Sequence, residues 1–183
     1  MNRIPTRLLT IALFLSVFPL TSFTPVETNV QNAAVQWHTI EEVQQLMKKQ
    51  PRKVFIDMYT DWCGWCKKMD ATTFQDPGII EILNTKFYAV KFDAEGKEDV
   101  VFKNQEYKFV PQGSRGYHEL AAAMMNGKLS YPTTVYLDEK LNLIQPIPGY
   151  MTVDKLEPIL IFLGENHYKN QTWQDFSKNY SSN

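Results

Sequence analysis

The chain contains 183 residues, of which 44% are hydrophobic and 21% are charged, so it is long enough to bury one substantial core and favours a single domain. Its 19 lysine and arginine residues nearly balance 20 aspartate and glutamate residues, for a formal net charge of -1, which excludes the strongly basic surface of a typical nucleic-acid-binding protein. The sequence also lacks internal repeats and low-complexity tracts, which excludes a repeat architecture.

The N-terminal segment has the order of a secretory signal peptide. Arg3 and Arg7 precede an apolar run over residues 8–20, and small polar residues follow that run. The run spans roughly 13 residues, whereas a membrane-spanning helix needs about 20, so we expect residues 1–24 to be removed on export. Retention of this segment as an N-terminal membrane anchor is the alternative. The following residues, 25–36, are predicted to be a flexible leader.

The next segments alternate between helical and strand patterns. Thr39 and Glu42 have the spacing of a capping box, which predicts a helix that ends near Pro51. Residues 53–59 form a short apolar run bounded by turn signals, which predicts a buried central strand. A second helix is predicted to begin within residues 63–66, directly after that strand.

Capping residues and apolar runs predict the elements that follow. Asp76 and Pro77 match an N-cap and a first helical position, which predicts a short helix over residues 79–83. Residues 87–92 form a further apolar run, which predicts another strand.

The later part of the chain predicts a hairpin and then a helix. Residues 133–137 and 141–147 form its two arms, separated by a polar turn. Residues 154–163 have apolar side chains at helical spacing, with Gly164 just beyond as a C-terminal stop. The alternation of helices and strands predicts an α/β fold.

The two cysteines of the chain are separated by only two residues. A bridge across so short a loop stabilises a fold little through chain entropy, which argues against a structural role. At a helix start, backbone N–H groups and the helix dipole favour a thiolate, so Cys63 is the candidate nucleophile and Cys66, one turn further, the candidate resolving thiol. Gly64 would permit a tight helix start, and Trp65 occupies the position that tunes redox poise in such motifs.

Zinc binding is the alternative role for two cysteines. A structural zinc site needs four ligands, and the three histidines are scattered without ligand spacing: His38, His118 and His167. We therefore expect no metal site. We also expect no cofactor other than a redox-active disulfide between Cys63 and Cys66.

Residues 55–68 resemble the active-site strand and helix start of the thioredoxin superfamily, including Trp62 before the first cysteine. The resemblance implies a thioredoxin fold, with a central mixed sheet flanked by helices. It aligns Asp57 with a buried carboxylate that lies behind the second cysteine and helps to move its proton. Burial would raise the pKa of such an aspartate, which suits a general acid or base for Cys66. A strand residue with a satisfied hydrogen bond is the alternative.

A second motif lies far along the chain. The segment Tyr131-Pro132-Thr133 resembles the cis-proline loop of the same superfamily, which faces the redox pair and pairs with the substrate backbone. The resemblance implies a cis bond before Pro132, and a trans turn residue is the alternative. Gly149 falls where the family has a glycine before its last helix. The expected substrate contacts are Trp62, Gly64, Trp65, Tyr131 and Pro132.

Residues 66–78 and 92–95 are similar to bacterial periplasmic thioredoxin-like proteins related to the C-terminal domain of the membrane thiol:disulfide interchange reductase. This similarity implies a periplasmic protein that acts towards reduction. The implied partners are proteins with thiols or disulfides, together with an electron donor such as a membrane reductase or a thioredoxin-like protein.

The sequence departs from the superfamily pattern at two places. Within a thioredoxin-like domain predicted over residues 37–166, residues 96–130 are longer than one helix, and this insertion is rich in aromatic residues: Phe102, Tyr107, Phe109 and Tyr117. The insertion is expected either to shape a substrate groove or to pack as a helix pair. Residues 167–183 are a C-terminal extension, in which Trp173 and Phe176 at helical spacing predict a packed accessory helix.

The motifs together predict a thiol:disulfide oxidoreductase that reduces or exchanges disulfides in exported proteins. Two alternatives remain open. One is a dithiol oxidase or isomerase, because the residues between the cysteines do not set the redox potential from first principles. The other is a binding or chaperone-like module in which the cysteines are dispensable.

Overall fold

The computed structural model describes residues 34–180. The predicted signal peptide, residues 1–24, and the predicted leader up to residue 33 lie outside the described residues. Within residues 34–180, no helix combines the length and the hydropathy that a membrane crossing requires.

A mixed sheet forms the centre of the protein. The strands of residues 34–180 are β1 (Trp37–His38), β2 (Lys53–Tyr59), β3 (Phe87–Asp93), β4 (Val100–Phe102), β5 (Gln105–Tyr107), β6 (Phe109–Gln112), β7 (Arg115–His118), β8 (Thr133–Leu137) and β9 (Leu143–Pro148). Five of them form one sheet in the order β1-β3-β2-β8-β9. Strand β2 runs parallel to β3 and antiparallel to β8, which confirms the predicted central mixed sheet.

Helices flank this sheet. They are α1 (Ile40–Lys49), α2 (Gly64–Ala71), α3 (Pro77–Lys86), α4 (Glu119–Met124), α5 (Val153–Gly164) and α6 (Trp173–Asn179), with 3-10 helices at Thr73–Gln75 and His167–Lys169. The capping box of α1 is confirmed, since Thr39 Oγ1 accepts from the Glu42 N–H at 3.2 Å and Glu42 Oε2 accepts from the Thr39 N–H at 2.9 Å. Helix α3 follows its Asp76 cap as predicted, but it continues to Lys86 because no glycine or proline interrupts residues 84–86.

Two apolar cores lie on the two faces of the sheet, and β2 contributes to both. Val54, Ile56 and Met58 belong to the core that α1 and α4 cover. Phe55 belongs to the core that α3 and α5 cover. Asp57 lies on the same face of the sheet as Phe55, because side chains two residues apart on a strand point to the same face. Burial on both faces explains why residues 53–58 of β2 are all buried.

The predicted insertion, residues 96–130, contains two β-hairpins and one short helix. Strand β4 pairs with β5 and β6 pairs with β7, both antiparallel, before α4 begins. Lys103, Asn104 and Gly113 have φ angles of 52°, 64° and 60°, the left-handed conformation that two-residue hairpin turns require. The expectation of a helix pair is therefore wrong, because strands joined by tight turns occupy residues 100–118 of the insertion.

Gly116, in β7, is a position where a side chain does not fit. A Cβ atom there would overlap the carbonyl oxygen of Val110 and the ring of Phe109 across the hairpin. Gly116→Ala is therefore expected to lower the free energy of unfolding, measured in urea, by about 1–3 kcal/mol, as overpacking does. Gly64→Ala is the matched control, because a Cβ at residue 64 would meet no atom within 4 Å. Equal free energies of unfolding for the two variants would contradict this account.

The chain after α5 folds back as the predicted accessory helix. Phe176 of α6 is buried, and its ring centroid lies 5.1 Å from that of Phe162 in α5. The ring centroid of Trp173 lies 5.3 Å from that of Phe162. Gly164 is the last residue of α5 and not the residue beyond it, and a Cβ there would approach the Phe87 ring to 3.0 Å. Close packing of the helix end on the start of β3 accounts for this glycine.

Candidate active site

The two cysteines lie where the central strand leads into a helix. Strand β2 ends at Tyr59, and Cys63 is the N-cap residue of α2. The Cys63 N–H donates to the Thr60 carbonyl oxygen at 3.0 Å, which closes the turn between strand and helix. The Cys63 Sγ accepts a hydrogen bond from the Cys66 N–H at 3.0 Å and is bonded to the Cys66 sulfur in a disulfide. The redox pair therefore occupies the N-terminus of α2.

Exposure alternates along this motif. Cys63 and Cys66 are 4% and 2% exposed, whereas Trp62 and Trp65 are 50% and 62% exposed. In the reduced protein, the unpaired N–H groups and the dipole at the start of α2 favour a thiolate on Cys63. A Cβ at residue 64 would meet no atom within 4 Å, so the space at the helix start does not require a glycine, and the contribution of Gly64 to a tight helix start stays a prediction.

The loop before β8 lies against this motif. The Tyr131–Pro132 peptide bond is cis, as the resemblance implied, so the trans alternative is wrong. The Tyr131 ring packs edge-on against Trp62, with 6.0 Å between ring centroids, which places the loop beside Cys63. The Pro132 carbonyl oxygen accepts from the Gly149 N–H at 2.8 Å, and this bond ties the start of β8 to the end of β9.

A further aromatic contact completes the surface around the disulfide. The Trp65 ring centroid lies 5.2 Å from that of Tyr150. We refer to four side chains as the aromatic rim: Trp62, Trp65, Tyr131 and Tyr150. Burial, together with the Glu95 and Asp93 carboxylates, raises the pKa of Tyr131 to about 12, so this hydroxyl stays protonated at neutral pH.

Asp57 is buried in β2, on the strand that leads to the redox pair. Its side chain is 1% exposed, and its Oδ2 accepts a hydrogen bond from Lys91 Nζ at 2.7 Å. Its Oδ1 accepts no hydrogen bond from any group of residues 34–180. Burial raises the pKa of this carboxyl, and the charge of Lys91 offsets only part of that effect. The predicted burial and raised pKa are confirmed, and the role of Asp57 in proton transfer stays a prediction.

Lys91, in β3, is a site residue that sequence reasoning missed. It lies opposite Asp57 in the parallel register, and its Nζ also binds the Asp70 carboxylate of α2. Burial acts to lower the pKa of Lys91, but the two carboxylates outweigh it and raise the pKa, so the side chain is charged. Asp70 lies one turn after Cys66, and residues four apart share a helix face. The ion network thus links Asp57 to the face of α2 that carries Cys66.

Arg115 is the second residue that sequence reasoning missed. It begins β7, at the tip of the second hairpin of the insertion, and its guanidinium carbon lies 4.2 Å from the centroid of Trp62. The insertion therefore contacts the aromatic rim. No local sequence signal indicates this contact, because it joins two segments that are distant in the chain.

His118 is buried, and both of its ring nitrogens lie against backbone atoms. His118 Nδ1 accepts from the Leu120 N–H at 3.2 Å, and Nε2 lies 3.1 Å from the Glu98 carbonyl oxygen, so this ring caps α4. In the part of the chain that the structure describes, no group of three or more histidine, cysteine, aspartate or glutamate side chains is arranged to hold a metal ion.

A disulfide of the Cys-x-x-Cys type at a helix N-terminus, beside a cis-proline loop on a mixed sheet flanked by helices, defines a thiol:disulfide oxidoreductase with a thioredoxin fold. A family model described as a thioredoxin-like domain matches residues 40–164, and the chain belongs to this family.

Curated relatives match part of the chain. A segment of 63 residues is 35% identical to the thiol:disulfide interchange protein DsbD of Pectobacterium atrosepticum, and it covers 34% of this chain and 11% of that protein. A segment of 98 residues is 32% identical to DsbD of Escherichia coli strain 536, and it covers 49% of this chain and 17% of that protein. The chain therefore matches less than one fifth of the length of these two relatives.

Solved structures match more of the chain at lower identity. The solution structure of a thioredoxin from Thermus thermophilus has a TM-score of 0.53 at 19% identity and covers 76% of this chain and 99% of its own. A structure named DsbH oxidoreductase has a TM-score of 0.52 at 18% identity and covers 85% of this chain and 96% of its own. These similarities show the shared fold.

Proposed function

We propose that the protein reduces disulfide bonds in exported proteins, with Cys63 as the nucleophile and Cys66 as the resolving thiol. The observation that carries this proposal is the position of Cys63 at the N-cap of α2, where its sulfur accepts the Cys66 N–H at 3.0 Å. This donor and the helix dipole stabilise a thiolate more than a thiol. A cysteine in this position is prepared to attack a disulfide.

Reduction then takes two exchanges. The Cys63 thiolate attacks one sulfur of the substrate disulfide and forms a mixed disulfide, while the other substrate sulfur leaves as a thiolate and takes a proton from solvent. Cys66, once deprotonated, attacks the Cys63 sulfur and releases the second substrate thiolate. The Cys63–Cys66 disulfide closes, and two electrons have passed to the substrate. A dithiol donor returns these electrons by the same exchange in reverse.

Asp57 is the proposed proton acceptor for Cys66. Burial raises the pKa of its carboxyl above the ordinary value, which makes the carboxylate a stronger base. Its Oδ1 has no partner among residues 34–180 and so retains its capacity to accept a proton. Lys91 joins Asp57 to Asp70 on the face of α2 that carries Cys66, which supports their proximity.

The aromatic rim and the cis-proline loop are the proposed substrate surface. Trp62 and Trp65 are half or more exposed beside the buried sulfur atoms, so they offer apolar area to an extended polypeptide. Tyr131 and Pro132 border the same site, and Gly64, the first residue of α2, adds backbone without a side chain to the proposed surface. A substrate strand would lie along this loop with its cysteine over Cys63.

The proposed compartment is the periplasm, to which the predicted signal peptide over residues 1–24 would direct the chain. There the substrates are proteins that carry disulfides. The matches to thiol:disulfide interchange proteins support an electron donor such as a membrane reductase or a thioredoxin-like protein. The cysteine pair itself carries the electrons, so the proposal requires no other cofactor.

The reduction potential of the Cys63–Cys66 pair tests the direction of electron flow. We expect a value nearer to about -270 mV, as in a reducing thioredoxin, than to about -120 mV, as in a strong dithiol oxidant. Equilibration with mixtures of reduced and oxidised dithiothreitol, followed by alkylation of free thiols, measures it. A potential near the oxidising value would support the dithiol oxidase instead and contradict the proposed reductase.

A further inference from the structure

The insertion contributes a positive charge to the rim of the redox site. The Arg115 guanidinium carbon lies 4.2 Å from the Trp62 ring centroid, and the Trp62 ring packs edge-on against Tyr131 at 6.0 Å. The three side chains form a continuous row from the tip of the second hairpin to the cis-proline loop. Cys63 follows Trp62 directly, so the row borders the nucleophile.

The base of this hairpin is anchored at the same end of the sheet as the cysteines. The His118 N–H donates to the carbonyl oxygen of Ala94 at 2.7 Å, and the Ala94 N–H donates to that of Tyr59 at 2.8 Å. The Glu119 N–H donates to the Lys108 carbonyl oxygen at 2.9 Å, which joins the two ends of the hairpin. Its position against Trp62 is therefore held by the backbone as well as by the stacking contact.

Arg115 has hydrogen-bonding capacity that the rest of the described chain does not use. The residue is exposed, and no carboxylate of residues 34–180 lies within ion-pair distance of it. By contrast, Lys91 binds Asp57 and Asp70. The guanidinium carbon lies over the Trp62 ring, and no hydrogen bond within residues 34–180 uses the guanidinium N–H groups, so these groups remain available to a ligand.

We propose that Arg115 binds an acidic side chain of the polypeptide substrate, next to the cysteine that Cys63 attacks. The proposal rests on the proposed function, since it concerns substrates of the same site. A carboxylate matches the planar edge of a guanidinium and accepts two parallel hydrogen bonds from it. Substrates with aspartate or glutamate near their disulfide are therefore preferred over those with neutral or basic residues there.

Matched peptide disulfides test this preference. Each peptide contains one cysteine and is joined to a second copy by a disulfide, and glutamate, glutamine or lysine is placed in turn at each position within three residues of the cysteine. The reduced protein is mixed with each peptide at low ionic strength, and the rate of reduction is measured. At one position or more, the glutamate peptide is expected to react about three to five times faster than the glutamine peptide, as one exposed ion pair provides.

Variants of Arg115 assign the preference to this residue. In Arg115→Gln the ratio of the glutamate to the glutamine rate is expected to fall to about one, and in Arg115→Glu the lysine peptide becomes the faster substrate. The ratio cancels any general effect of the arginine on the reactivity of Cys63. Lys169→Gln is the matched control: it removes another exposed cation that stacks on an aromatic ring, 5.6 Å from Tyr168, after α5 and away from the cysteines.

The outcomes separate this inference from the proposed function. Equal rates for all peptides with the unmodified protein would overturn the role of Arg115 but leave disulfide reduction intact. A preference that persists in Arg115→Gln, or that is lost in Lys169→Gln, would also overturn it. Failure of the unmodified protein to reduce any peptide would instead contradict the proposed function.

Discussion

Cys63→Ser is expected to lower the rate of insulin reduction by at least about a thousandfold, because a serine hydroxyl at the start of α2 is not ionised at neutral pH and cannot attack a disulfide. The loss should be this large because Cys66 lies within the first turn of α2 and does not occupy the N-cap position that favours a thiolate on Cys63, so it cannot replace Cys63 as the first nucleophile. Turbidity of the precipitating insulin chains, with dithiothreitol as the electron source, measures the rate.

Cys66→Ser separates the two thiols. This variant retains the nucleophile but cannot resolve the mixed disulfide, so a covalent complex with the substrate is expected to accumulate and to disappear when dithiothreitol is added. The Cys63→Ser variant should form no such complex, because it lacks the nucleophile. Insulin reduction that survives Cys63→Ser would contradict the catalytic proposal, because it would show that Cys63 is not the nucleophile. In cells, Cys66→Ala is expected to trap both the substrates and the electron donor.

The strand and helix around the redox pair could be predicted because their determinants are local. The apolar run after Pro51 indicates β2 with the bounds that the structure shows, residues 53–59. The capping box at Thr39 and the Asp76 cap likewise depend on side chains that bind backbone atoms two or three residues away. The cis bond before Pro132 could be expected only from the resemblance, since a proline at a strand start is ordinarily trans.

The surroundings of Asp57 could not be predicted, because they depend on the register between two strands. Lys91 lies opposite Asp57 only in the parallel pairing that the structure shows. A register shifted by one residue would place Val90 or Phe92 there and leave the carboxylate without a cation. The sequence contains one indication of this pair, because Lys91 lies inside the apolar run of residues 87–92. A charged side chain in a buried strand is ordinarily paired with an opposite charge.

The insertion shows a different limit of sequence reasoning. Aromatic residues alone do not distinguish strands from helices, and the turn residues Lys103-Asn104 and Gly113-Ser114 are the features that indicate hairpins. The stacking of Arg115 on Trp62 has no local signal at all. Hydrogen bonds at the hairpin base bring these two side chains together, and those bonds exist only in the folded protein.

Asp57→Asn is expected to change catalysis and stability in opposite directions. Near neutral pH it should slow the release of the mixed disulfide about a hundredfold, the usual contribution of a general base, because Cys66 loses its proton acceptor. The difference should narrow at alkaline pH, where solvent removes the thiol proton. At neutral pH the oxidised Asp57→Asn variant should also have a larger free energy of unfolding than the unmodified protein. The reason is that an amide avoids the cost of a buried ionised carboxylate.

The gain in stability of Asp57→Asn over the unmodified protein is expected to depend on pH. Burial raises the pKa of Asp57 above its ordinary value of 3.8, so the folded protein keeps a proton that the unfolded chain releases. The unmodified protein therefore loses stability as the pH rises from that ordinary value through the raised pKa, whereas the asparagine variant does not. Urea denaturation at several pH values should show a gain for Asp57→Asn at pH 7 that vanishes in acid.

Asp99→Asn is the matched control for both effects, because it removes the same charge from an exposed ion pair with Lys108. It should alter neither the rate of release nor the dependence of stability on pH by a measurable amount. A variant Asp57→Asn that is both slow and less stable at pH 7 would show that Asp57 holds the fold together through Lys91. The two readouts therefore distinguish a proton acceptor, whose removal slows the exchange while relieving a buried charge, from a carboxylate that only anchors a lysine.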